Sequence, residues 1–460
     1  MADMNINEVN SLHDTRISDY NIFLSTISKR RTTPALRASY DMMSKDAIFL
    51  SRGNPNPETF PIIESTLTLR DGGKLHLAGI TMEAAMQYGS SAGDPEFRKW
   101  LIKLQRQLHN PPTLDDSRRP SSLDVIINTG CSEGIFKVMT ATLNSGDAVL
   151  TEEYTFPLLF STIVPLGARA VAVVSDDQGM IPSMLEKILS TWNEKTNGKR
   201  PQVLYCVTSA SNPTAITWSL ARKREIYKIA HMYNILIVED DPYYMLQFNT
   251  TKVPTFLSLD VDGRVVRLDS FSKVISAGAR LGYISGPRQF LHKIVQHMMC
   301  SVISASNLSQ AVVFQTIQRM GHDGFIKHVE NVRDFYQRRA SMANQMAEKH
   351  LKGLAEWVMP TGGMFLWIKL LNIKDSSKVT EKAAKHGAVF NAGFCFCFDQ
   401  TLSSYIRAAY SIVADDQMDK VHLHFLITYI CAYNPIKVLV DSDDGYVSVM
   451  TSFCEQVGDP

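Results

Sequence analysis

Apolar, β-rich runs alternate with helical patterns through the middle of the chain. The runs that read as strands cover residues 124–128, 148–151, 170–174, 202–207, 235–238, 265–268 and 282–285. The helical patterns cover residues 132–143, 182–194, 219–233 and a longer, Met-rich stretch, 289–318. Strands that alternate with helices are typical of parallel sheets joined by crossover helices. The sequence therefore predicts an α/β fold with one large, mainly parallel, seven-stranded sheet.

A different pattern begins near Gly324. A long helical pattern continues to His350, and short strands are predicted at 363–368 and 405–408. We expect a smaller α+β domain there, together with a loosely held polar tail at the end of the chain. The predicted division is an N-terminal arm with part of the small domain over 1–60, a large domain over 61–323, the small domain over 324–433 and the tail over 434–460.

Composition places the chain among soluble globular proteins, since 45% of its 460 residues are hydrophobic and 20% are charged. The formal net charge of +1 lacks the basic excess of a nucleic-acid-binding domain. No apolar run approaches the roughly 20 residues that span a bilayer, and residues 1–5 show no signal-peptide pattern. The seven cysteines lack metal-ligand spacing and suit reduced thiols. We therefore expect a cytoplasmic protein that binds no nucleic acid, membrane or metal.

A lysine flanked by hydroxyl groups follows the sixth predicted strand, in the segment Asp269-Ser270-Phe271-Ser272-Lys273. A lysine amine can condense with an aldehyde cofactor. Ser270, Ser272 and the planar guanidinium of Arg280 offer donors for a phosphate dianion. A solvated basic turn after a strand would have the same sequence pattern, so this segment alone leaves both interpretations open.

Two serine-based alternatives have less support. Ser270 and Lys273 form the Ser-x-x-Lys pair of penicillin-binding proteins, but the Ser-Asp-Asn and Lys-Thr-Gly motifs that accompany it occur nowhere in the chain. Residues 89–93 match the nucleophile-elbow pattern, yet they follow a helical pattern at 82–86 rather than a strand. Acyl transfer is therefore disfavoured.

Other strand ends carry groups that a pyridoxal ring needs, and ligands of open α/β sheets bind at the carboxyl ends of strands. A Gly-flanked helix start at 129–134 could receive a phosphate, and Asn212 follows the fourth strand. The fifth strand leads into Asp240 and Tyr243, where a buried carboxylate would keep a pyridine nitrogen protonated. Each motif alone also fits a turn or a helix cap. Together with Lys273, their order indicates a pyridoxal phosphate site.

Longer segments resemble a known family. They are Gly53-Asn54-Pro55-Asn56-Pro57, Gln87-Tyr88-Gly89-Ser90-Ser91-Ala92-Gly93, Leu108-His109-Asn110-Pro111-Pro112-Thr113, Glu239-Asp240-Asp241-Pro242-Tyr243-Tyr244, Asp269-Ser270-Phe271-Ser272-Lys273 and Tyr405-Ile406-Arg407-Ala408. Over roughly residues 30–433 the chain resembles class I pyridoxal-phosphate aminotransferases of fold type I, in particular the kynurenine/2-aminoadipate and fungal aromatic group. The resemblance implies a homodimer that uses pyridoxal 5′-phosphate. An L-amino acid, aromatic or 2-aminoadipate-like, would donate its amino group, and 2-oxoglutarate or another 2-oxo acid would accept it.

The resemblance also implies roles for single residues. Lys273 would bind the cofactor aldehyde covalently and then move the substrate Cα proton. Asp240, in preference to Asp241, would hold the pyridine nitrogen. Asn212 and Tyr243 would flank the phenolic oxygen.

The remaining implied roles concern the phosphate, the ring and the substrate. The phosphate ligands would be Ser132, the backbone of Glu133, Ser270, Ser272, Arg280 and Tyr88 of the partner subunit. Phe156 would stack on the ring, and Arg407 would bind the substrate α-carboxylate through a bidentate pair. Further substrate contacts would come from Asn212, Tyr88, Phe156, Gly53 and Arg37, although Arg37 also fits an exposed arm residue.

The chain departs from the family pattern at several positions. Ala215 replaces a turn glycine, Glu133 replaces a glutamine beside the phosphate, and Phe156 replaces a tyrosine found in many relatives. We expect the Glu133 carboxylate to point away from the phosphate. Residues 391–394 also replace a usual Pro-Gly near the small-domain pocket. These changes bear on substrate preference more than on reaction type.

Two competing functions share the predicted site. Another pyridoxal reaction, such as β-elimination or decarboxylation, would use the same Lys273 and Asp240. A sensor module of a bacterial regulator would bind cofactor without turnover, but it would follow a DNA-binding domain, for which the roughly 30 preceding residues are too few. Transamination is the favoured interpretation.

Overall fold

In the computed structural model, residues 15–35, 53–115 and 117–420 are described. The strands are β1 Glu64–Thr68, β2 Lys74–Ala78, β3 Leu123–Asn128, β4 Ala148–Glu152, β5 Arg169–Val173, β6 Ser175–Asp176, β7 Gly179–Met180, β8 Val203–Cys206, β9 Leu236–Asp240, β10 Val265–Ser270, β11 Gly282–Pro287, β12 Ala355–Trp357, β13 Phe365–Leu370, β14 Asn391–Ala392 and β15 Tyr405–Ala409.

The α-helices are α1 Thr26–Arg30, α2 Gly79–Met86, α3 Pro95–His109, α4 Cys131–Thr142, α5 Leu158–Ile163, α6 Pro182–Ser190, α7 Glu194–Asn197, α8 Leu220–Met232, α9 Phe256–Leu259, α10 Arg288–Met299, α11 Asn307–Leu351 and α12 Ser377–Lys385. Short 3-10 helices lie at Tyr20–Phe23, Pro57–Thr59, Val164–Leu166, Tyr244–Leu246, Ala277–Ala279 and Gly393–Phe396.

The seven predicted strands of the large domain all lie in one sheet, in the order β3-β11-β10-β9-β8-β4-β5. Neighbours from β10 to β5 pair in parallel. β11 runs antiparallel to both β10 and β3. A parallel pair needs a crossover of a dozen or more residues, usually a helix, whereas β10 and β11 are joined by the short segment that contains Lys273. The prediction of a mainly parallel, seven-stranded sheet is confirmed.

Helices cover both faces of this sheet, as its almost fully buried strands require. On one face, Ile135 of α4 and Phe290 of α10 pack with Val238 of β9. On the other face, Leu185 of α6 and Ile226 of α8 pack against further strand residues. The carboxyl ends of the strands lie at the edge of the sheet between these two helix layers. Polar side chains can be accommodated there.

The prediction of one continuous helix over 289–318 was wrong. Residues 300–306 separate α10 from α11 and are not helical. Ser301 Oγ donates to the carbonyl oxygen of His297 at 2.8 Å, at the end of α10. Ser306 Oγ accepts the Ser309 N–H at 3.3 Å and caps α11. Serines compete in this way with helical backbone hydrogen bonds. The helix predicted over 182–194 likewise ends earlier, at Ser190.

A smaller antiparallel sheet, in the order β12-β13-β15-β14, follows α11. Ala343 and Ala347 of α11 and Val379 of α12 pack against Leu366 and Ile406 of the sheet. Helix α11 has a non-helical backbone at Gly321, where φ is 68°. The expected α+β part is therefore present. Among the described residues no helix is long and apolar enough to cross a membrane.

Candidate active site

Four strands of the large sheet deliver polar residues to one edge. β3, β8, β9 and β10 end there, and the residues that follow or close them include Gly130, Asn212, Asp240 and Lys273. Because β3 and β10 are both antiparallel to the strand between them, their carboxyl ends point in the same direction. The structure therefore brings together the groups that the sequence placed at separate strand ends.

Asp240 is 2% exposed and has one oxygen without a hydrogen-bond partner in the described part of the chain. Its other oxygen, Oδ2, accepts a hydrogen bond from the Tyr205 hydroxyl at 2.7 Å. Burial raises the pKa of Asp240 from 3.8 to about 6, although the Tyr205 hydrogen bond opposes that shift. A buried oxygen without a partner is costly, and a protonated ring nitrogen would satisfy it.

The two acidic neighbours of Asp240 point to the other face of the sheet, as alternation along a strand requires. Glu239 and Asp241 contact the fully buried Arg267 at 2.9 and 3.0 Å. Arg267 also pairs with Asp269 at 2.9 Å. These carboxylates are therefore engaged in a structural ion-pair network, and Asp240 is the acidic group that remains for a ligand.

Lys273 lies partly buried in the turn after β10, with its Nζ 5.9 Å from the Tyr243 ring centroid. Burial lowers the pKa of its amine, and the guanidinium groups of Arg280 and Arg407 lower it further. Both effects favour the neutral amine, which is the form that attacks an aldehyde or accepts a proton.

Arg280 lies beside the start of α4 and next to a hydroxyl of the lysine turn. Its Nη2 donates to the carbonyl oxygen of Thr129 at 3.2 Å, and its Nη1 donates to Ser272 Oγ at 3.5 Å. The Ser272 N–H donates in turn to Ser270 Oγ at 3.0 Å. A Cβ atom at Gly130 would lie 3.1 Å from Arg280 Nη2, so the glycine leaves this corner open. An arginine, two serines and a helix start suit a phosphate.

The first turn of α4 carries the other two predicted phosphate ligands, Ser132 and Glu133. Ser132 is exposed, and within the described ranges no side chain caps this helix start. The Glu133 carboxylate lies 3.6 Å from Lys137 Nζ. The backbone N–H of Glu133 donates to the carbonyl oxygen of Gly130 at 3.0 Å. Burial raises the pKa of Glu133, while Lys137 opposes the shift. Lys137 thus offsets the negative charge that distinguishes this position from the family glutamine.

Arg407 belongs to the small sheet and reaches the large one. Its Nη1 donates to Asn212 Oδ1 at 2.6 Å, and its guanidinium lies over the rings of Phe365 and Phe396, at 4.4 and 4.9 Å from their centroids. Nε has no hydrogen-bond partner among the described residues, and burial lowers the pKa of the group. The Arg407 guanidinium forms no ion pair with a carboxylate in that part of the chain. A ligand carboxylate could therefore accept hydrogen bonds from its unpaired N–H groups.

The remaining predicted residues are less closely joined to this group. Tyr243 is buried, and burial raises its pKa. Phe156 packs half-buried against the core that α4 covers. Tyr88 is 61% exposed, and its side chain makes no hydrogen bond, ion pair or ring contact with the other described site residues. Gly53 is also exposed. Arg37 lies outside the described residues.

One departure, the alanine at the turn position where the family has glycine, can be compared with the structure. Ala215 adopts φ 58°, the left-handed conformation that a glycine occupies without strain. The sequence patterns did not identify Tyr205, whose hydroxyl donates to Asp240. A tyrosine within the buried strand β8 needs a partner for its hydroxyl, and that requirement was the available signal.

Similarity to known proteins agrees with this geometry. Residues 56–422 match the family model described as aminotransferase class I and II. A kynurenine/alpha-aminoadipate aminotransferase, mitochondrial, of Rattus norvegicus is 42% identical over 412 residues, which cover 88% of this chain and 97% of the relative. Aminotransferase tdiD of Emericella nidulans is 34% identical, covering 81% of this chain and 87% of that protein.

Solved structures show the same fold. Aminotransferase Aro8 from Candida albicans superposes with a TM-score of 0.81 at 28% identity, covering 90% of this chain and 98% of that chain. A Pyrococcus horikoshii kynurenine aminotransferase, solved in complex with PMP, has a TM-score of 0.70 at 26% identity, covering 89% and 98%. The fold type predicted from the sequence is confirmed by these neighbours.

Proposed function

The chain belongs to the aminotransferase class I and II family, and we propose that it moves an amino group from an L-amino acid to a 2-oxo acid with pyridoxal 5′-phosphate as cofactor. One observation carries the proposal. Lys273 lies at the same sheet edge as Asp240 and Arg407. Among the described residues, one Asp240 oxygen has no hydrogen-bond partner and the Arg407 guanidinium has no carboxylate partner. An amine, a buried acid and a buried cation are the groups that this chemistry needs.

The residues present fit the cofactor. Asp240 would accept a hydrogen bond from the ring nitrogen, and Lys273 would hold the aldehyde carbon. Arg280, Ser270, Ser272 and the start of α4 would bind the phosphate. When bound, pyridoxal 5′-phosphate supplies an electron-withdrawing ring that acidifies the Cα–H bond of the amino acid.

The protein's own groups orient the substrate and move its proton. Arg407 would bind the α-carboxylate through its forked N–H groups and hold the Cα atom toward Lys273. The Lys273 amine, whose pKa is lowered by burial and by neighbouring cations, would accept the Cα proton. The aromatic rings around Arg407 exclude water and strengthen its attraction for the carboxylate.

The proposed donors are aromatic amino acids, kynurenine or 2-aminoadipate. Support comes from the relatives, because mammalian kynurenine/alpha-aminoadipate enzymes and a Dictyostelium discoideum aromatic amino acid aminotransferase are 31–42% identical to this chain. The rings of Phe365 and Phe396 lie against the Arg407 guanidinium and give this part of the site an apolar wall. The proposed acceptor is 2-oxoglutarate or another 2-oxo acid.

We propose a homodimer in which Tyr88 reaches the phosphate of the partner subunit. The segment around Tyr88 exposes large apolar side chains, with Ile63 76% and Ile80 85% exposed. Exposed apolar surface of this kind marks interaction sites.

A cytoplasmic location and the boundary between the large and small domains at residue 324 stay predictions. The rat, bovine and mouse relatives are named as mitochondrial. Cell fractionation would test the location.

The test is a two-step reaction followed by visible absorbance. The purified protein is mixed with kynurenine, 2-aminoadipate, tryptophan or phenylalanine without acceptor, and 2-oxoglutarate is added afterwards. Transamination predicts that the cofactor absorbance changes with the donor and recovers with the acceptor, while glutamate is formed. Release of carbon dioxide or of a β-substituent without that recovery would support the alternative pyridoxal reactions instead. An unchanged spectrum with every donor would contradict the proposed substrates.

A further inference from the structure

Tyr154 joins the loop after β4 to the small sheet. Its hydroxyl lies 3.0 Å from Ser403 Oγ. Its ring centroid lies 5.2 Å from that of Trp367 and 5.4 Å from that of Tyr405. The next residue, Thr155, donates its N–H to the carbonyl oxygen of Phe396 at 3.1 Å. The loop is thus held by ring contacts, a side-chain hydrogen bond and a backbone hydrogen bond.

These contacts lead directly to Arg407. Tyr405 and Arg407 are two positions apart on β15 and therefore share one face of the small sheet. Trp367 is the register partner of Arg407 on β13 and stacks on Tyr405, with centroids 5.1 Å apart. Trp367 also meets Phe396 edge to face at 5.6 Å, and the Arg407 guanidinium lies over Phe396.

The anchor of the Tyr154 hydroxyl is itself fixed. Ser403 Oγ accepts the Tyr405 N–H at 3.2 Å. A Cβ atom at Gly393 would lie 2.3 Å from Ser403 Oγ, so the serine packs directly on a glycine backbone. Ser403 is 4% exposed and has little room to move.

The other end of the loop carries Phe156, two residues after Tyr154. Phe156 packs against the core that includes the start of α4. The loop is therefore fixed on one side by the small sheet and on the other by the large domain. A displacement of Tyr154 would change the position of the Phe156 ring relative to the Arg407 guanidinium.

We propose that Tyr154 is a positioning residue, which sets the orientation of the cofactor-stacking Phe156 relative to the carboxylate-binding Arg407. This inference rests on the function proposed above. A reacting group must be held within a fraction of an ångström of its productive geometry, and displacements of about 1 Å can cost 10²-fold in rate. Tyr154 couples the two side chains that hold the ring and the substrate.

The test compares Tyr154→Leu with Phe160→Leu in the holoenzyme. Phe160 forms a matched aromatic contact between the same two parts of the chain, 5.6 Å from Phe398, away from the path to Arg407. We expect Tyr154→Leu to lower kcat/KM for the donor by about 10–100-fold, in kcat as well as in KM, because substrate orientation is lost. It should also change the visible circular dichroism of the bound cofactor. Phe160→Leu should lower the unfolding temperature without either change.

A double-mutant cycle with two conservative substitutions tests the same proposal if Tyr154→Leu does not fold. Tyr154→Phe and Ser403→Ala each remove the hydroxyl contact, so each should raise KM by about threefold, the size expected for one neutral hydrogen bond. The double variant should be no worse than Ser403→Ala alone, because that single variant already removes the Tyr154 contact together with the acceptor of the Tyr405 N–H.

Three results would distinguish the role of the hydroxyl contact, the positioning role of Tyr154 and the proposed function. Additive effects in the double variant would overturn the role of the hydroxyl contact. A Tyr154→Leu enzyme with altered stability but wild-type kcat, KM and circular dichroism would overturn the positioning role altogether. A wild-type protein that forms no glutamate from any donor would instead contradict the proposed function, while the circular dichroism of its bound cofactor would still test Tyr154.

Discussion

The Arg407 guanidinium donates from Nη1 to Asn212 Oδ1 at 2.6 Å, which links the small sheet to the loop after β8. The same amide is expected to face the phenolic oxygen of the cofactor. Substrate carboxylate and cofactor would thus be held by adjacent groups. This relationship explains why residues 195 positions apart in sequence form one site.

Replacement of Arg407 should separate substrate binding from cofactor binding. Arg407→Ala removes the forked cation from a buried site, and we expect a loss in kcat/KM of ~2–5 kcal/mol, the range for truncating one partner of a buried charge pair. Arg407→Lys keeps the charge but loses the fork, so its KM should also rise. Steady-state kinetics and cofactor content measure both effects. An Arg407→Lys enzyme with wild-type KM would contradict bidentate binding.

Asp240→Asn should reduce turnover by about 10²–10³-fold, the usual effect of removing one preorganised electrostatic group. The amide keeps the shape of the side chain but cannot stabilise a proton on the ring nitrogen. Asp241→Asn is the contrasting variant, because Asp241 pairs with Arg267 on the opposite face. It should lower stability more than turnover of the folded enzyme. Equal loss of kcat in both variants would contradict the assignment of Asp240.

Tyr205→Phe should weaken cofactor binding and lower the free energy of unfolding by about 1–3 kcal/mol, because it leaves a buried carboxylate oxygen without its donor. Tyr227→Phe is a matched control, since the Tyr227 hydroxyl donates to the buried Asp260 at 3.0 Å. The control should lose stability but keep its affinity for the cofactor. Cofactor titration of the apoproteins and thermal unfolding distinguish them, and identical cofactor affinities would argue against Tyr205 as a support for Asp240.

Stability should decline as the pH rises because of Glu152. Burial raises the pKa of this carboxyl from 4.5 to about 8, so between these values the folded state holds a proton that the unfolded state has released. The contribution is fully present below pH 4.5 and is lost as the pH rises through about 8. Glu152→Gln should flatten the fall in unfolding temperature between pH 4.5 and about 8.

The control for this pH dependence is Glu96→Gln, since the Glu96 side chain is 68% exposed. The unfolding temperature of Glu96→Gln should vary with pH in the same way as that of the wild type. A Glu152→Gln profile as steep as the wild-type profile would contradict a protonated Glu152 in the folded protein.

Much of the fold followed from local patterns. Six of the seven strands of the large sheet are short, mostly buried runs, and β5 is the partly exposed exception. The groups at the strand ends predict a pyridoxal phosphate site. The break between α10 and α11 was missed, because it depends on serine side chains that return to the backbone. Periodicity does not report such hydrogen bonds.

Contacts between distant segments were also beyond the sequence patterns. The Asp240 partner Tyr205 lies on a neighbouring strand, 35 positions away in sequence. The link from Tyr154 to Ser403 spans 249 positions. Such pairs are set by strand order and domain packing rather than by local sequence.

The most direct test of the central claim is chemical reduction of the holoenzyme with borohydride, followed by peptide mass mapping. We expect the phosphopyridoxyl mass on the peptide that contains Lys273, and fragmentation should locate it on that lysine. Lys273→Ala should carry no such mass and should show no turnover. A modified lysine elsewhere in the wild type, or full turnover in Lys273→Ala, would contradict the account.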